Sequence, residues 1–320
     1  MGNTRKPRRG SMQFWPRSRS THSVARIRHW VSGNKVKPLG FVGYKAGMTH
    51  LQVTDNRPKS LTKGETIVMP ATIVECPPLT VCGIAFYKHS LFGQQKKTSL
   101  LTEKLSPYLS RRIELPKAKV KSFDEVTDYD DLRLLVHTNV QLTGFGTKRP
   151  KLVEVALGGS KEEKIQYAKN ILGKEITVLD VFDNGSQVDA HGVSKGKGFQ
   201  GTVKRFGVPI RQHKAEKVKR GIGTLGPLHP RRVRFSVPQS GKMGFHSRTE
   251  YNKQILKIGK NPEDVNRAGG IIKFGNVKNS YLLLKGSVVG PKKRALFLTP
   301  ALRPDNKLPM EAPAITYLDK

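Results

Sequence analysis

Apolar residues along this chain come in short runs broken by glycine and proline, not in long stripes. PLGFVGYKAGMTHLQVTDN (38–56) alternates β-type runs with glycine turns. ETIVMPATIVECPPLTVCGIAFYKH (65–89) continues with β-branched runs split by Pro77-Pro78. EITVLDVF (175–182), SYLLLKGSVVG (280–290) and RALFLTPAL (294–302) repeat the pattern, and RLLVHTNV (133–140) reads as a strand. Short strands with such punctuation predict a barrel or sandwich over alternating βαβ units. One stretch has helical period: SKEEKIQYAKNILG (160–173) places Ile165, Ala168 and Leu172 on one face. Ser160 and Glu163 form a capping box, Lys169 sits near the negative end, and Gly173 is the expected stop. A second, short helix is expected at Asn261-Pro262-Glu263-Asp264.

Two stretches follow neither period. Residues 11–30 mix Arg with Phe14, Trp15 and Trp30 and are interrupted by Pro16. Residues 192–254 hold many Gly and Pro, few apolar runs and dense Lys/Arg. Such a composition cannot bury enough surface to fold alone. A mid-chain excursion of that length is also too long for a plain loop. A hairpin-like projection ordered by a polyanion is the physical reading.

Charge sharpens this division. The 320 residues carry 58 Lys+Arg against 24 Asp+Glu, a formal net charge of +34. Hydrophobic residues make up 36% of the chain, enough for a core. Residues 1–54 hold 11 Lys/Arg and no acid, while 61–180 hold 18 against 14. Residues 191–260 hold 17 against two, Glu216 and Glu250. A field of this sign attracts polyanions, so nucleic acid is the expected partner, with anionic membrane as runner-up. No apolar run is long enough to span a membrane, and the basic start precedes no signal-type apolar stretch. Cys76 and Cys82 make no disulfide framework or four-ligand zinc site; they read as small buried hydrophobes in a reducing compartment.

The chemistry that remains is binding chemistry. GKGFQG (Gly196, Gly198, Gly201) matches the dinucleotide glycine pattern. Gly207 and Pro209 argue against the helix that should open there, and the acid expected about 20 residues on is missing. The better account is a glycine turn whose backbone approaches phosphate, with Lys195, Lys197, Lys204 and Arg205 around it. No Walker A loop and no Gly-x-Ser-x-Gly occur. His22, His29, His213, His229 and His246 lack metal-ligand spacing; they read as partners of bases, phosphate or ribose. The cluster Asp124, Glu125, Asp128, Asp130 and Asp131 reads as a solvated turn before a strand. In the first basic block Lys6 and the guanidinium groups of Arg5, Arg8, Arg9, Arg17, Arg19, Arg26 and Arg28 suit phosphates. Phe14, Trp15 and Trp30 suit unpaired bases, the alternative being aromatics docked on the protein's own core.

SKGKGFQGTVKRFG (194–207), followed by GTLGPLHPRRVRFSVPQSGKMGFHSRTEYNKQILKIG (223–259), resembles the central region of the universal large-subunit ribosomal protein three family. RKPRRGSMQFWPRSRS resembles its archaeal and eukaryotic N-terminal arm, GFVGYKAGMTH the start of its barrel, and KNSYLLLKGSVVGPKKRALFLTPALRP its closing strands. Length and a compact C-terminus favour the archaeal branch.

The resemblance implies a mainly β fold: a translation-protein type β-barrel with an inserted α+β domain, a long basic arm and a central finger. It implies the arm over 1–37, barrel over 38–98, inserted domain over 99–173, barrel over 174–190, finger over 191–251 and closing barrel over 252–320. It also implies binding to large-subunit ribosomal RNA early in assembly, support near the peptidyl transferase centre and aminoacyl-tRNA corridor, and neighbouring large-subunit proteins as partners. No enzyme activity, cofactor, metal, membrane or small-molecule substrate is implied. The finger tip falls at Gly226–Pro230, where relatives commonly have Trp in place of Leu228. His229 is its neighbour there, and Arg231, Arg232 and Arg234 follow. Lys214, Lys217, Lys219 and Arg220 match the positive stretch beside the finger. Arg211, His213, Lys242, His246 and Arg248 complete the expected RNA contacts. Two other readings stand beside this one: an RNA-modifying or RNA-processing enzyme with a basic channel, and a DNA-compacting protein.

Overall fold

The computed structural model describes residues 7–31, 33, 35–116 and 126–320. It is mainly β. In chain order the strands and helices are β1 (Phe41–Thr54), β2 (Thr66–Glu75), β3 (Leu79–Ser90), β4 (Gly93–Leu101), β5 (Asp131–Thr138), β6 (Leu152–Ala156), α1 (Lys161–Ile171), β7 (Glu175–Ile176), β8 (Gln187–Val193), β9 (Phe199–Gln200), α2 (Thr202–Phe206), β10 (Gly241–Lys242), β11 (Ser247–Gly259), β12 (Tyr281–Lys285), β13 (Ala295–Pro300) and β14 (Ile315–Leu318). They fall into two compact units. The larger takes Ser23–Gly192 and Arg248–Lys320; the smaller takes the described part of Met1–His22 with Val193–Ser247.

In the larger unit seven strands pair in the order β13-β8-β11-β12-β2-β1-β14. β1 is long enough to serve two partners. Its first residues, Phe41 to Tyr44, oppose Leu298 to Ala295 of β13. A register shift between Lys45 and Gly47 bends it, and Leu51 to Val53 then meet β14. The β1–β13 pairing makes six of the strands a closed cycle, leaving β14 as a flap on β1. Phe41, Tyr44, Leu51, Tyr281 and Phe297 are fully buried in the core of this unit, on both faces of these strands.

A second sheet runs β4-β3-β5-β6, with β7 on β3. β3 pairs with β4 and β5, not with β1 or β2. Helix α1 has the capping box at Ser160 and Glu163, with Ala168 buried. EITVLDVF, expected as a strand, yields only the two residues of β7. Thr177 and Asp180 cap each other there and close a 3-10 turn. The short helix at Asn261 is likewise only a 3-10 turn, Pro262–Asp264, without a side-chain cap from Asn261.

Cys76 and Cys82 are free and buried. Asp128 and Asp130 are exposed, as expected of a solvated turn before β5, and they carry cationic and amide partners. Asp128 accepts from Lys88 at 2.8 Å and also pairs with Lys97, Asp130 accepts from the His89 amide, and Asp131 pairs with Lys164 at 2.9 Å. These contacts tie the turn to β3 and β4, and β5 to α1. Asp124 and Glu125 lie outside the described residues.

A buried aspartate and a half-buried histidine fix β8 to its neighbours in this unit. Asp189 accepts from the amides of Asn252 and Leu302 at 2.9 and 3.0 Å. His191 bonds Thr249 on β11 and Thr299 on β13. The chain that leaves β8 and returns through β11 is thereby held at its root.

Candidate nucleic-acid interface

The smaller unit is built from chain segments far apart in sequence. Its only carboxylate is Glu216, against thirteen Lys/Arg in Val193–Ser247 alone. Most of its positive charge therefore has no internal counter-charge. With almost no apolar run, the unit needs an anchor, and Phe206 supplies one.

Helix α2 (Thr202–Phe206) opens directly after GKGFQG, where Gly207 and Pro209 were expected to forbid a helix. The helix stays within one turn and a half. Gly207, at φ 70°, ends it in the left-handed conformation that glycine takes without penalty. This turn buries Phe206. Trp15 packs on the ring at 5.9 Å between centroids. The guanidinium of Arg17 lies 4.1 Å from its centroid, that of Arg205 5.1 Å, and that of Arg8 6.0 Å.

The same three arginines are bonded to main-chain oxygens. Arg8 donates to Ser236 at 2.7 Å, Arg17 to Arg205 at 3.0 Å, and Arg205 to Gln239 at 2.8 Å. Arg8, Arg17 and Arg205 were expected to meet phosphate. In the structure Arg8 and Arg17 fasten the arm, and Arg205 ties α2 to Gln239 and Lys242, because a guanidinium satisfies several carbonyls and an aromatic face at once.

Two more expected contacts are turned inward. His246 is buried, with Nδ1 at 2.7 Å from the Ser18 carbonyl and Nε2 accepting from the Gly244 amide at 3.1 Å. Trp30, in the larger unit, is half-buried and meets Phe297 edge-on at 5.8 Å. For Trp30 the alternative reading, an aromatic docked on the core, is the one observed. Trp15 is shared between Phe206 and Phe235. Phe14 remains 53% exposed.

The remaining expected residues face outward. Arg9, Arg19, Arg26, Arg28, Lys195, Lys197, Lys204, Arg211, His213, Lys214, Lys217, Lys219, Arg220, His229, Arg231, Arg232, Arg234 and Lys242 are all exposed. Leu228 is 73% exposed, and Arg248 is half-buried. Arg5 and Lys6 lie outside the described residues.

Around the glycine turn the backbone is laid bare. β9 and β10 pair across its base, Phe199 opposite Lys242. Gly244, at φ 77°, passes so close that a Cβ there would sit 2.0 Å from the Lys195 carbonyl. A Cβ on Gly201, by contrast, would meet nothing within 4 Å, and the residue has an ordinary φ of −70°. The fold itself does not require glycine at 201. A cavity of about 600 Å³ opens here, lined by Arg19, Ser20, Gly196, Phe199, Lys242 and Phe245 among others. Sequence reasoning missed Phe199, Phe206 and Phe235. Their signal was an aromatic directly after a basic residue, in Arg205-Phe206 and Arg234-Phe235, or one position on, in Lys197-Gly198-Phe199.

Among the described residues no group of three His, Cys, Asp or Glu is placed to hold a metal ion. Among them, too, no helix is long and apolar enough to cross a membrane.

The chain matches the family model described as Ribosomal protein L3 over residues 1–131 and 124–319. It is 43% identical to the large ribosomal subunit protein uL3 of Methanocaldococcus jannaschii over 330 residues, covering 99% of this chain and 97% of that one. The protein of the same name from Methanothrix thermoacetophila is 42% identical, covering all of this chain and 98% of its own. That from Methanopyrus kandleri is 40% identical, covering 99% and 91%.

Proposed function

This chain belongs to the ribosomal protein L3 family, in its archaeal branch, as a structural constituent of the large ribosomal subunit and not an enzyme, and we propose that it works by carrying unneutralised positive charge into folded large-subunit ribosomal RNA. The observation that carries this reading is the smaller unit: a single carboxylate, an outward-facing set of lysines and arginines, and an arm fastened by other arginines. RNA would be read by shape, through phosphates, 2′-hydroxyls and stacked loop bases. The open backbone at Gly198 and Gly201 leaves room for a phosphate to approach, with Lys195, Lys197 and Lys204 beside it.

On this reading the closed strand cycle is the family's barrel, the second sheet with α1 its inserted α+β domain, 1–37 the arm and 191–251 the finger. The finger and arm support the region near the peptidyl transferase centre and aminoacyl-tRNA corridor. Binding takes place early in subunit assembly, in the cytoplasm, beside neighbouring large-subunit proteins. The exposed Leu228 at the tip supplies apolar contact without the indole donor common in relatives.

Footprinting on large-subunit RNA tests the reading. A single defined protected region is expected, with random duplex DNA bound far more weakly; equal affinity for duplex DNA overturns it. Comparing wild type with Leu228→Trp isolates the tip. Matching footprints mean that the tip reads shape alone.

A further inference from the structure

A second cavity, of about 860 Å³, lies wholly within the larger unit. That is the size of a small-ligand site. One wall is an extended strip in which Ala25 and Ile27 turn inward while Arg26 and Arg28 face out. The other wall is the second sheet, presenting Tyr87, Gln94 and Arg133. Trp30, Leu39 and Leu157 form an apolar floor. Phe92, at the tip of the β3–β4 hairpin, forms the lip and is 92% exposed.

The charges here do not cancel. Asp131 is the only carboxylate lining the cavity, and Lys164 holds it at 2.9 Å. Arg133 is committed to Tyr87, with its guanidinium 4.2 Å from the ring centroid, and to Gln94 and Glu154. Arg26 and Arg28 make no hydrogen bond or ion pair among the described residues and are left for a ligand. Two buried donors, Trp30 Nε1 and Arg133 Nε, lack an acceptor. The site thus offers cations and an exposed aromatic face. It asks for a ligand that is anionic, rich in acceptors and flat.

The geometry points to a nucleotide cleft: an unpaired nucleotide of large-subunit RNA seats here, its base against Phe92 and its phosphate at Arg26 and Arg28. This rests on the reading that the chain binds ribosomal RNA, and adds a site in the larger unit, remote in sequence from the finger. An acidic peptide would use the arginines but leave Phe92 and the apolar floor without a partner. A base uses both, since every base has a face that stacks.

Photocrosslinking tests it. The full-length chain is bound to 4-thiouridine-substituted large-subunit RNA, irradiated and digested, and nucleotide-bearing peptides are mapped. Adducts are expected on peptides holding Phe92 or residues 26–31, as well as on finger peptides. Phe92→Ala should lower the cleft adduct about fivefold or more, the lower end of what one stacked base contributes, and leave finger adducts unchanged. Because Phe92 is almost wholly exposed, the variant tests binding and not folding. The double variant Arg26→Gln, Arg28→Gln should act in the same direction. Finger adducts without cleft adducts, or cleft adducts indifferent to both variants, overturn the cleft and leave RNA binding standing. Absence of both kinds overturns the wider reading. In assembled subunits, a protein segment crosslinked into the cleft in place of RNA also overturns it.

Discussion

The Nδ1 of His246 lies 2.7 Å from the backbone carbonyl of Ser18, 228 residues earlier in the chain. A carbonyl only accepts, so Nδ1 carries the proton; the Gly244 amide donates to Nε2, which is therefore bare. One neutral ring joins the arm to the base of the finger in a single tautomer. His246→Ala removes both bonds and leaves a carbonyl and an amide without partners. The expected cost is about 1–3 kcal/mol within this unit. Amide hydrogen exchange checks it: Ser20, which donates to Phe245, and Gly244 should both exchange faster.

Phe206 is the hub on which three guanidinium groups and Trp15 converge. Phe206→Ala is expected to cost about 3–5 kcal/mol, as for other large-to-small changes at buried aromatics. The chain has two tryptophans. In a Trp30→Phe background, Trp15 alone emits, and its emission should shift to the red when Phe206 is removed. An unmoved spectrum means the arm docks without this ring.

Asp55 predicts an acid limb. Its carboxylate, 2% exposed, is held far below the usual carboxylate range, first by the Arg57 side chain and then by the Ser60 hydroxyl. A group with a depressed folded pKa stabilises fully above its unfolded value, about 3.9, and loses that contribution as pH falls below it. Urea unfolding at pH 7, 4 and 3 should therefore show Asp55→Asn less stable than wild type at pH 7, with the difference narrowing towards pH 3.

The two thiols should be silent in the native state. Burial raises the Cys76 pKa and pushes that of Cys82 up to about 12. Only the thiolate attacks a disulfide reagent. Ellman's reagent at pH 8 should label neither cysteine in native protein and both in denaturant, at the rate of unfolding.

Salt titration separates the phosphate-binding side chains proposed for the finger from its anchors. Removing one lysine–phosphate pair should lower the slope of log K against log salt by about 0.7–0.9. Lys217→Gln with Lys219→Gln, both exposed, should reduce the slope by about one to two. Arg17→Gln should instead weaken arm docking while leaving most of the slope intact.

Strands with a strong local signal were legible in the chain. PLGFVGYKAGMTHLQVTDN holds β1, and SYLLLKGSVVG holds β12. What local pattern cannot carry is pairing. Nothing in the β3 run says that it leaves β2 for β5, because that choice rests on partners some 50 residues away. EITVLDVF shows the opposite failure: its β-branched residues argue for a strand, but the Thr177–Asp180 cap wins locally. For the interface, the charge block was legible and its division of labour was not. Arg8 and Arg9 are adjacent and chemically identical, yet Arg8 reaches the Ser236 carbonyl while Arg9 faces outward. Only the position of Phe206 separates them.

The split make-up of the smaller unit also sets a timetable. Ser18 leaves the synthesising ribosome long before His246 exists, and at about 5–20 residues per second the interval is roughly 10–45 seconds. Throughout it the arm is a nascent cationic strand with neither Phe206 nor His246 to hold it. The last partners to appear for this earliest segment are Ser236, Phe245 and His246, so the arm settles only when the finger is nearly complete. β1 waits longer still, for β13 and β14 at the far end of the chain. Here the beginning of the chain is the last part of it to be finished.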